Sequence, residues 1–282
     1  MNGPSGGPAG LGGGTGGPGP AVLLCAGMGE GAGTWAALVP LLAGRHRVAL
    51  LDRPGLGVVP DDGRVPTLAG EVARIAPLVE ELGRPVLVAH SAAALPAEAY
   101  ARCHRGRLAG LVLVDPSLVE VPGPAWGAAR AARLVAAGAP ALGAALDRVG
   151  LARRLGPWAW TRAVRRMSVL PPDPARAVPY RSGAVLVRVL VEWLAYPAMA
   201  AELVALRRRT APPAVPVVVL TALGDVATAS GRAAWRAGHA RLAASFPAGR
   251  QEVLRDARHL VHRDRPEVVA AAVAAVGRDS GS

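Results

Sequence analysis

Residues 86–94 have the sequence VLVAHSAAA, in which an apolar segment leads directly into a serine and then into small, helix-forming residues. The pattern predicts a buried strand that turns at Ser91 into a helix. A serine hydroxyl is a weak nucleophile unless a base removes its proton, so a reactive Ser91 needs a histidine within reach. The alternative interpretation is structural, because serine also caps helix N-termini. The rest of the chain bears on the choice.

The residues around Ser91 approximate a nucleophile elbow, a sharp strand-to-helix turn with the pattern G-x-S-x-G. Here the five residues are AHSAA, so that Ala89 and Ala93 replace both glycines. Each alanine adds a methyl group where the turn brings backbone segments close together. The sequence leaves two interpretations open: either small neighbouring residues make room for the two methyl groups, or the backbone of the elbow is strained.

Short apolar segments alternate with helical patterns on both sides of this turn. The predicted strands are residues 21–26, 47–51, 86–90, 108–114, 215–221 and 251–254. Near-continuous apolar strands that alternate with helices predict an α/β fold, with a mostly parallel central sheet flanked by helices. Residues 117–210 interrupt the alternation, because they contain several helical segments separated by Pro and Gly and no convincing strand. An inserted helical cap is predicted there.

A chain of 282 residues is long enough to bury a full core, and one domain with an insertion is expected. The predicted division is a disordered Gly/Pro-rich tail (1–19), the first part of the core (20–116), the cap (117–210), the second part of the core (211–276) and a polar tail (277–282).

The formal net charge is +12 at pH 7, yet it is weak evidence for nucleic-acid binding. Every basic residue is Arg and Asn occurs only at Asn2, a usage typical of a GC-rich genome. Zinc-finger spacing and basic runs longer than 207–209 are also missing, so no nucleic-acid partner is predicted. Residues 117–210 hold 14 Arg against five acidic residues, which is either a solvated surface or a surface that attracts an anionic substrate, an acyl carrier or an acidic membrane.

Cysteine usage and the N-terminus predict a cytoplasmic protein. Cys25 and Cys103 fall in a predicted buried strand and a predicted helix, so a disulfide is not expected. Residues 1–20 lack the basic start and apolar run of a signal peptide. No apolar stretch is expected to reach the length that crosses a bilayer, and stable membrane insertion is not predicted.

A serine follows one predicted strand, an aspartate a later one and a histidine the last one, in the order Ser91, Asp225, His259. Five local motifs accompany them: AGMG at 26–29, DRPGLG at 52–57, AHSAA at 89–93, PVVVLTALGD at 216–225 and RHLVHRDRPE at 258–267. Together these motifs resemble the alpha/beta-hydrolase family with a helical cap, over residues 20–276. Ala26 stands where that family usually has a histidine.

The resemblance implies a role for each matching residue. Ser91 would be the nucleophile, His259 the general base, and the backbone amides of Met28 and Ala92 the oxyanion hole. Asp225 is the preferred acid that orients the imidazole. Asp115 is the alternative acid because it also ends a strand, at a place where some capped relatives carry theirs; its structural interpretation is a turn residue before Pro116.

Two further histidines and the cap aromatics have structural interpretations. His90 is expected to be a packed neighbour of Ser91. His262 lies three residues beyond His259, as in a metal-binding pair, but no third ligand is evident and no metal is predicted. The predicted cap contains six aromatic residues. Some of them are expected to line a pocket, and the others to pack in the core. The six residues are Trp126, Trp158, Trp160, Tyr180, Trp193 and Tyr196.

The expected function is therefore that of a cofactor-free serine hydrolase, with a Ser-His-Asp triad, that cleaves an ester or related acyl bond of a small, partly apolar substrate through an acyl-enzyme. Two alternatives remain. One is an inactive protein of the same fold that binds a ligand under the cap. The other is an acyltransferase or thioesterase that works with an acidic carrier protein, for which the basic cap is the only sequence signal.

Overall fold

The computed structural model describes residues 17, 19–119 and 125–278, and the rest of both predicted tails lies outside this description. The described chain contains one parallel sheet in the order β2-β1-β3-β4-β5-β6. Its strands are β1 (Gly19–Cys25), β2 (His46–Leu51), β3 (Val86–His90), β4 (Gly110–Val114), β5 (Val217–Ala222) and β6 (Gly249–Leu254). The predicted α/β fold is confirmed.

Helices follow the strands and cover both faces of the sheet. In the described chain they are α1 (Val39–Ala43), α2 (Leu68–Leu82), α3 (Ala94–Cys103), α4 (Ala125–Ala137), α5 (Ala139–Arg148), α6 (Leu151–Met167), α7 (Gly183–Arg209), α8 (Ala229–Ala244), α9 (Val261–Asp264) and α10 (Pro266–Arg278). Short 3-10 segments cover Ala32–Ala37, Ser91–Ala93 and Pro174–Arg181.

Successive residues of each strand alternate between two apolar clusters. Leu87 and Ala89 of β3 pack with side chains of α2, α3 and α8 on one face. Val86 and Val88 pack on the other face, with α10 and with the fully buried Trp35. Burial on both faces explains why the strands are almost continuously apolar in sequence.

Four helices, α4–α7, occupy the chain between β4 and β5, and we call residues 125–209 the helical insertion. Within it, α7 packs against α4, α5 and α6, and it also contacts α2 and α3 of the core. A buried ion cluster fixes part of this contact. The carboxylate of Glu98, on α3, accepts hydrogen bonds from Arg102 Nε at 2.8 Å and from Arg207 Nη2 at 2.6 Å, and Arg207 belongs to α7.

Among the described residues there is one helix, α7, whose length and apolar composition would allow it to cross a bilayer. The expectation that no stretch reaches that length is therefore wrong for this helix. In the structure α7 packs on neighbouring helices and carries two buried charged residues, Arg188 and Glu192. Because helices packed inside a protein meet the same criterion, length and composition do not place α7 in a membrane.

Candidate active site

Ser91 lies at a sharp turn between β3 and α3, above the carboxyl end of the sheet. Its φ is +52°, and Asp115, at the end of the adjacent β4, has a φ of +41°. Non-glycine residues rarely adopt this left-handed region, because Cβ then approaches the backbone. Among the described non-glycine residues, only Arg84 also has a positive φ. Backbone strain is thus concentrated where two candidate functional side chains lie side by side.

The two alanines of the elbow are both buried. Ala89 and Ala93 are buried in one cluster with Ala94 and Ala97 of α3 and with Cys25 of β1. Neither alanine has a positive φ. The unfavourable torsion belongs to Ser91 itself.

His259 bridges Ser91 and Asp115 through its two ring nitrogens. Nε2 lies 2.9 Å from Ser91 Oγ, and Nδ1 lies 2.6 Å from Asp115 Oδ2. The three residues follow β3, β4 and β6, whose carboxyl ends meet at one edge because the sheet is parallel. With Nδ1–H donating to the carboxylate, Nε2 is left as an acceptor for the serine proton.

The carboxylate on the His259 ring comes from Asp115, the alternative acid, and not from Asp225, the preferred one. Asp115 is 2 % exposed, and its Oδ1 also accepts hydrogen bonds from Ala222 N–H at 2.9 Å and Trp235 Nε1–H at 3.1 Å. Asp225 is exposed, and its Oδ2 accepts the main-chain N–H of His259 at 3.3 Å. The physical reason is position: Asp115 directly ends β4, the neighbour of β3, whereas Asp225 lies in a loop beyond β5.

The charge of Asp115 controls the protonation of the ring. Burial lowers the pKa of His259, but the hydrogen bond and charge of Asp115, with smaller contributions from Glu30 and Asp225, outweigh it and raise the pKa above its ordinary value of 6.5. Burial and the charge of Asp115 also raise the pKa of Asp225. His259 therefore holds its proton more strongly than a free imidazole does.

The predicted oxyanion residues, Met28 and Ala92, line one small cavity beside Ser91. The helical insertion holds the loop that contains Met28, and it does so by contacts to Gly29. Glu192 Oε2 accepts the N–H of Gly29 at 2.9 Å, and the hydroxyl of Tyr180 donates to the carbonyl of Gly29 at 2.6 Å. Both polar groups of Gly29 are thus bound by residues from a different part of the fold.

Two further charged residues hold Gly27, at the other side of Met28. Arg53 Nη2 donates to the carbonyl of Gly27, and Glu30 Oε2 accepts the N–H of Gly27 at 3.1 Å. Arg53 Nε also lies 3.2 Å from Glu192 Oε1 in an ion pair. Sequence reasoning missed these loop-holding residues. One signal could have revealed Glu192, since an acidic residue inside a long apolar helix needs a buried partner.

Glu30 also belongs to a buried cluster with His90 and His262. His90 Nδ1 lies 2.9 Å from Glu30 Oε2, and His90 Nε2 donates to the carbonyl of His259 at 3.0 Å. Burial raises the pKa of Glu30, but the charges of the three nearby histidines, His90 first, lower it overall. His90 is thus a hydrogen-bonded neighbour that fixes the backbone of His259.

The same cluster has the donor types of a metal site. One donor atom from each of Glu30, His90 and His262 lies within 4.8 Å of the others. The His259–His262 pair considered from the sequence does not form, since His259 uses both ring nitrogens elsewhere and His262 Nε2 lies 2.7 Å from Thr34 Oγ1. A metal ion in the cluster would have to replace the hydrogen bond between His90 and Glu30.

A cavity of about 330 Å³ lies between residues 29–34 and the helical insertion. Trp160 and Tyr180 line it and stack on each other, with ring centroids 5.9 Å apart. Trp158 and Trp193 are more than 60 % exposed, and Tyr196 packs on a core cluster. The side chain of Trp126, the remaining cap aromatic, lies outside the described residues.

Comparison with known proteins identifies the family and the fold. The sequence model of the alpha/beta hydrolase family matches residues 22–272. The pimeloyl-[acyl-carrier protein] methyl ester esterase of Aeromonas hydrophila is 40 % identical over 105 residues, or 36 % of this chain and 39 % of that protein. The esterase of the same name from Methylococcus capsulatus is 38 % identical over 114 residues, or 39 % and 42 %. The chain thus matches about two fifths of the length of these curated relatives.

The solved structures support the same architecture over nearly the whole chain. An alpha/beta hydrolase fold protein from Burkholderia ambifaria superposes with a TM-score of 0.65, at 22 % sequence identity, and the match covers 93 % of this chain and 92 % of that one. At this identity the similarity establishes the fold alone. The family resemblance predicted from the sequence motifs is confirmed by the family match.

Proposed function

This chain belongs to the alpha/beta hydrolase family, and from that premise we propose that it is a serine hydrolase that cleaves an ester or related acyl bond of a small, partly apolar substrate. The observation that carries the proposal is the position of His259, with one ring nitrogen on Ser91 Oγ and the other on the Asp115 carboxylate. The names of the two partial relatives are consistent with ester hydrolysis.

In the first half-reaction, His259 Nε2 takes the proton of Ser91 as Oγ attacks the carbonyl carbon of the ester. The negative charge that develops on the carbonyl oxygen is met by the backbone N–H groups of Met28 and Ala92. Such donors typically contribute about 3 kcal/mol each to the transition state. The His259 imidazolium then protonates the alkoxy leaving group, the carbon–oxygen bond breaks, and an acyl-Ser91 ester remains.

In the second half-reaction, water enters where the alcohol has left. His259 Nε2 accepts a proton from the water as its oxygen attacks the acyl-Ser91 carbonyl, and the imidazolium returns that proton to Ser91 Oγ as the carboxylic acid departs. Asp115 keeps its negative charge throughout and stabilises the imidazolium formed in each half. The chemistry balances with ester and water alone, so the proposed reaction needs no cofactor.

The experiment that tests this proposal is intact mass spectrometry after exposure to a fluorophosphonate probe. Wild-type protein should gain the mass of one adduct. Ser91→Ala should gain none, and His259→Ala should be labelled much more slowly because the serine has lost its base. A folded wild-type protein that stays unlabelled with both a large and a small probe would overturn the proposal, and the ligand-binding protein of the same fold would then be the better interpretation.

A second candidate, a hydrolase or thioesterase that acts on a carrier-bound acyl group, is favoured by the surface of α6. Exposed arginines along this helix surround an exposed tryptophan, and α6 also lines the cavity through Val164; the exposed residues are Arg153, Arg154, Trp158, Arg162, Arg165 and Arg166. A basic surface of this kind attracts acidic partners at low ionic strength. Addition of an acidic acyl carrier protein should then raise the rate on a carrier-linked ester relative to the free ester, and added salt should remove the gain.

The proposed reaction takes place in the cytoplasm. Both cysteines are unpaired, Cys25 in the core and Cys103 at the surface. Unpaired thiols are compatible with a reducing compartment. Fractionation of the native host, with detection of the protein in each fraction, tests this location.

A further inference from the structure

The cavity of about 330 Å³ is lined by residues that neighbour the proposed reaction centre in sequence, although Ser91, His259, Met28 and Ala92 themselves do not line it. Its wall includes Gly29, the residue after Met28, and Leu260, the residue after His259. Its volume falls at the lower end of the range of about 300–1,000 Å³ that is usual for small-molecule sites. A ligand in it would therefore contact the residues that follow Met28 and His259 in the sequence.

Most of the lining is apolar. Side chains from the core loops and from the helical insertion contribute to it, namely Leu56, Val58, Trp160, Val164, Val185 and Leu260. Apolar walls gain free energy by excluding water, so they favour a hydrocarbon chain over a polar ligand. The lining thus selects for an apolar body.

The two acidic residues of the lining are bound by the protein itself. Asp52 Oδ1 accepts the N–H of Ala32 at 2.6 Å, and Asp52 Oδ2 accepts the N–H of Val58 at 3.1 Å. Glu30 Oε2 faces His90 at 2.9 Å, as described above. Because these carboxylates already accept hydrogen bonds from the protein, they do not favour a cationic ligand in the cavity.

Two arginines of the lining retain donor capacity. Arg176 Nη1 donates to the carbonyl of Gly33 at 2.8 Å, and its Nε lies 3.5 Å from Asp173 Oδ2. Arg263 donates to the carbonyl of Pro171 through Nη2. A guanidinium carries five N–H donors, and these contacts use two donors of Arg176 and one of Arg263.

The two guanidinium groups also repel each other. Burial, and after it the charge of Arg176, lower the pKa of Arg263, whereas the charges of Asp264 and Asp173 act in the opposite direction. Two like charges that line one cavity favour a bound anion. The walls and the two charges together therefore fit an amphiphilic anion.

We propose that this cavity binds an apolar chain that ends in an anionic group, with the chain against the apolar walls and the anion on Arg176 and Arg263. The anion is a carboxylate or a phosphate, which share the planar, bidentate recognition that guanidinium groups provide. Resting on the proposed function, the inference names the substrate class: an ester whose carbonyl lies at Ser91 and whose chain carries an anionic group at a distance.

The direct test is calorimetric titration of Ser91→Ala protein with octanoate, octyl phosphate and octanol, which share one chain length. At least one anion should bind 10-fold or more tightly than octanol, and the tighter of the two identifies the anion. In the double variant Arg176→Gln/Arg263→Gln, the affinities for the two anions should fall to within twofold of the affinity for octanol. Arg133→Gln, an exposed α4 position outside the cavity, should change none of the three affinities.

Two further variants protect the test against misfolding. Arg263→Gln alone should lose part of the preference, and Arg263→Lys should keep more of it because the charge remains. Melting curves establish that each variant is folded. If octanoate and octyl phosphate bind no more tightly than octanol, or if the arginine substitutions leave the preference unchanged, the inference is wrong.

A kinetic comparison connects the site to turnover. The monomethyl ester of a dicarboxylic acid should be hydrolysed with a higher kcat/KM than the methyl ester of a monocarboxylic acid of equal length, and the double arginine variant should lose the difference. The two proposals can fail separately. Arginine-dependent octanoate binding without probe labelling at Ser91 would remove the hydrolase proposal alone, and labelling without any anion preference would remove this inference alone.

Discussion

The carboxylate of Glu192 accepts the main-chain N–H of Gly29 at 2.9 Å, although 163 residues separate the two. Glu192 belongs to α7 of the helical insertion, and Gly29 follows Met28 in the loop that presents the proposed oxyanion donor. Tyr180, in the same insertion, holds the carbonyl of Gly29. The insertion therefore holds the loop of the proposed oxyanion donor as well as lining the cavity.

Glu192→Gln and Tyr180→Phe should each lower kcat about 10-fold with little change in KM, because a displaced oxyanion loop weakens contacts made mainly in the transition state. Steady-state kinetics on a short-chain ester measure both parameters. Glu202→Gln is the matched control on the same helix, where Glu202 accepts the N–H of Leu68 away from the site. An equal loss in the control, or a rise in KM alone, would contradict a positioning role.

Asp115→Asn should lower kcat by about 10³–10⁴-fold, because the amide no longer holds His259 in the required tautomer or stabilises its cation. Asp225→Asn should cost less than about 10-fold, since Asp225 touches only the main chain of His259 among the described contacts. The two variants compared at one pH measure this difference. A larger loss in Asp225→Asn would return the role of the acid to Asp225.

The acidic limb of the pH dependence of kcat/KM should lie above pH 6.5. Only neutral His259 can accept the serine proton, and Asp115 raises the pKa of His259. Activity should thus be lost as pH falls through this raised pKa. In Asp115→Asn the limb should move to lower pH, because the negative charge that raised the pKa is gone. A limb that stays in place in this variant would identify a different titrating group.

Ser91→Gly should be more stable to unfolding than Ser91→Ala by about 1 kcal/mol, because glycine adopts a positive φ without the Cβ clash. Urea denaturation of both variants measures the difference. Ser230, in the helical part of α8, provides a control with the opposite sign, since alanine should be the more stable residue there. A more stable Ser91→Ala would contradict the strain at the elbow.

The sequence by itself determined the architecture and two members of the candidate site. Strand and helix periodicity is local, so apolar runs such as residues 86–90 predicted the strands, and their alternation with helices predicted the parallel sheet. Ser91 and His259 could be singled out because each follows a predicted strand within a recognisable motif. The parallel sheet then brings their two positions to one edge, where the structure has them in hydrogen-bonding distance.

Only the tertiary structure decided which carboxylate meets His259. Asp115 and His259 are 144 residues apart, and their contact depends on the order of the strands and on where each strand ends. The contacts of Glu192 and Arg176 have the same origin. Their partners lie on other elements, and no local pattern encodes a contact that forms only when the helical insertion packs on the loops of the core.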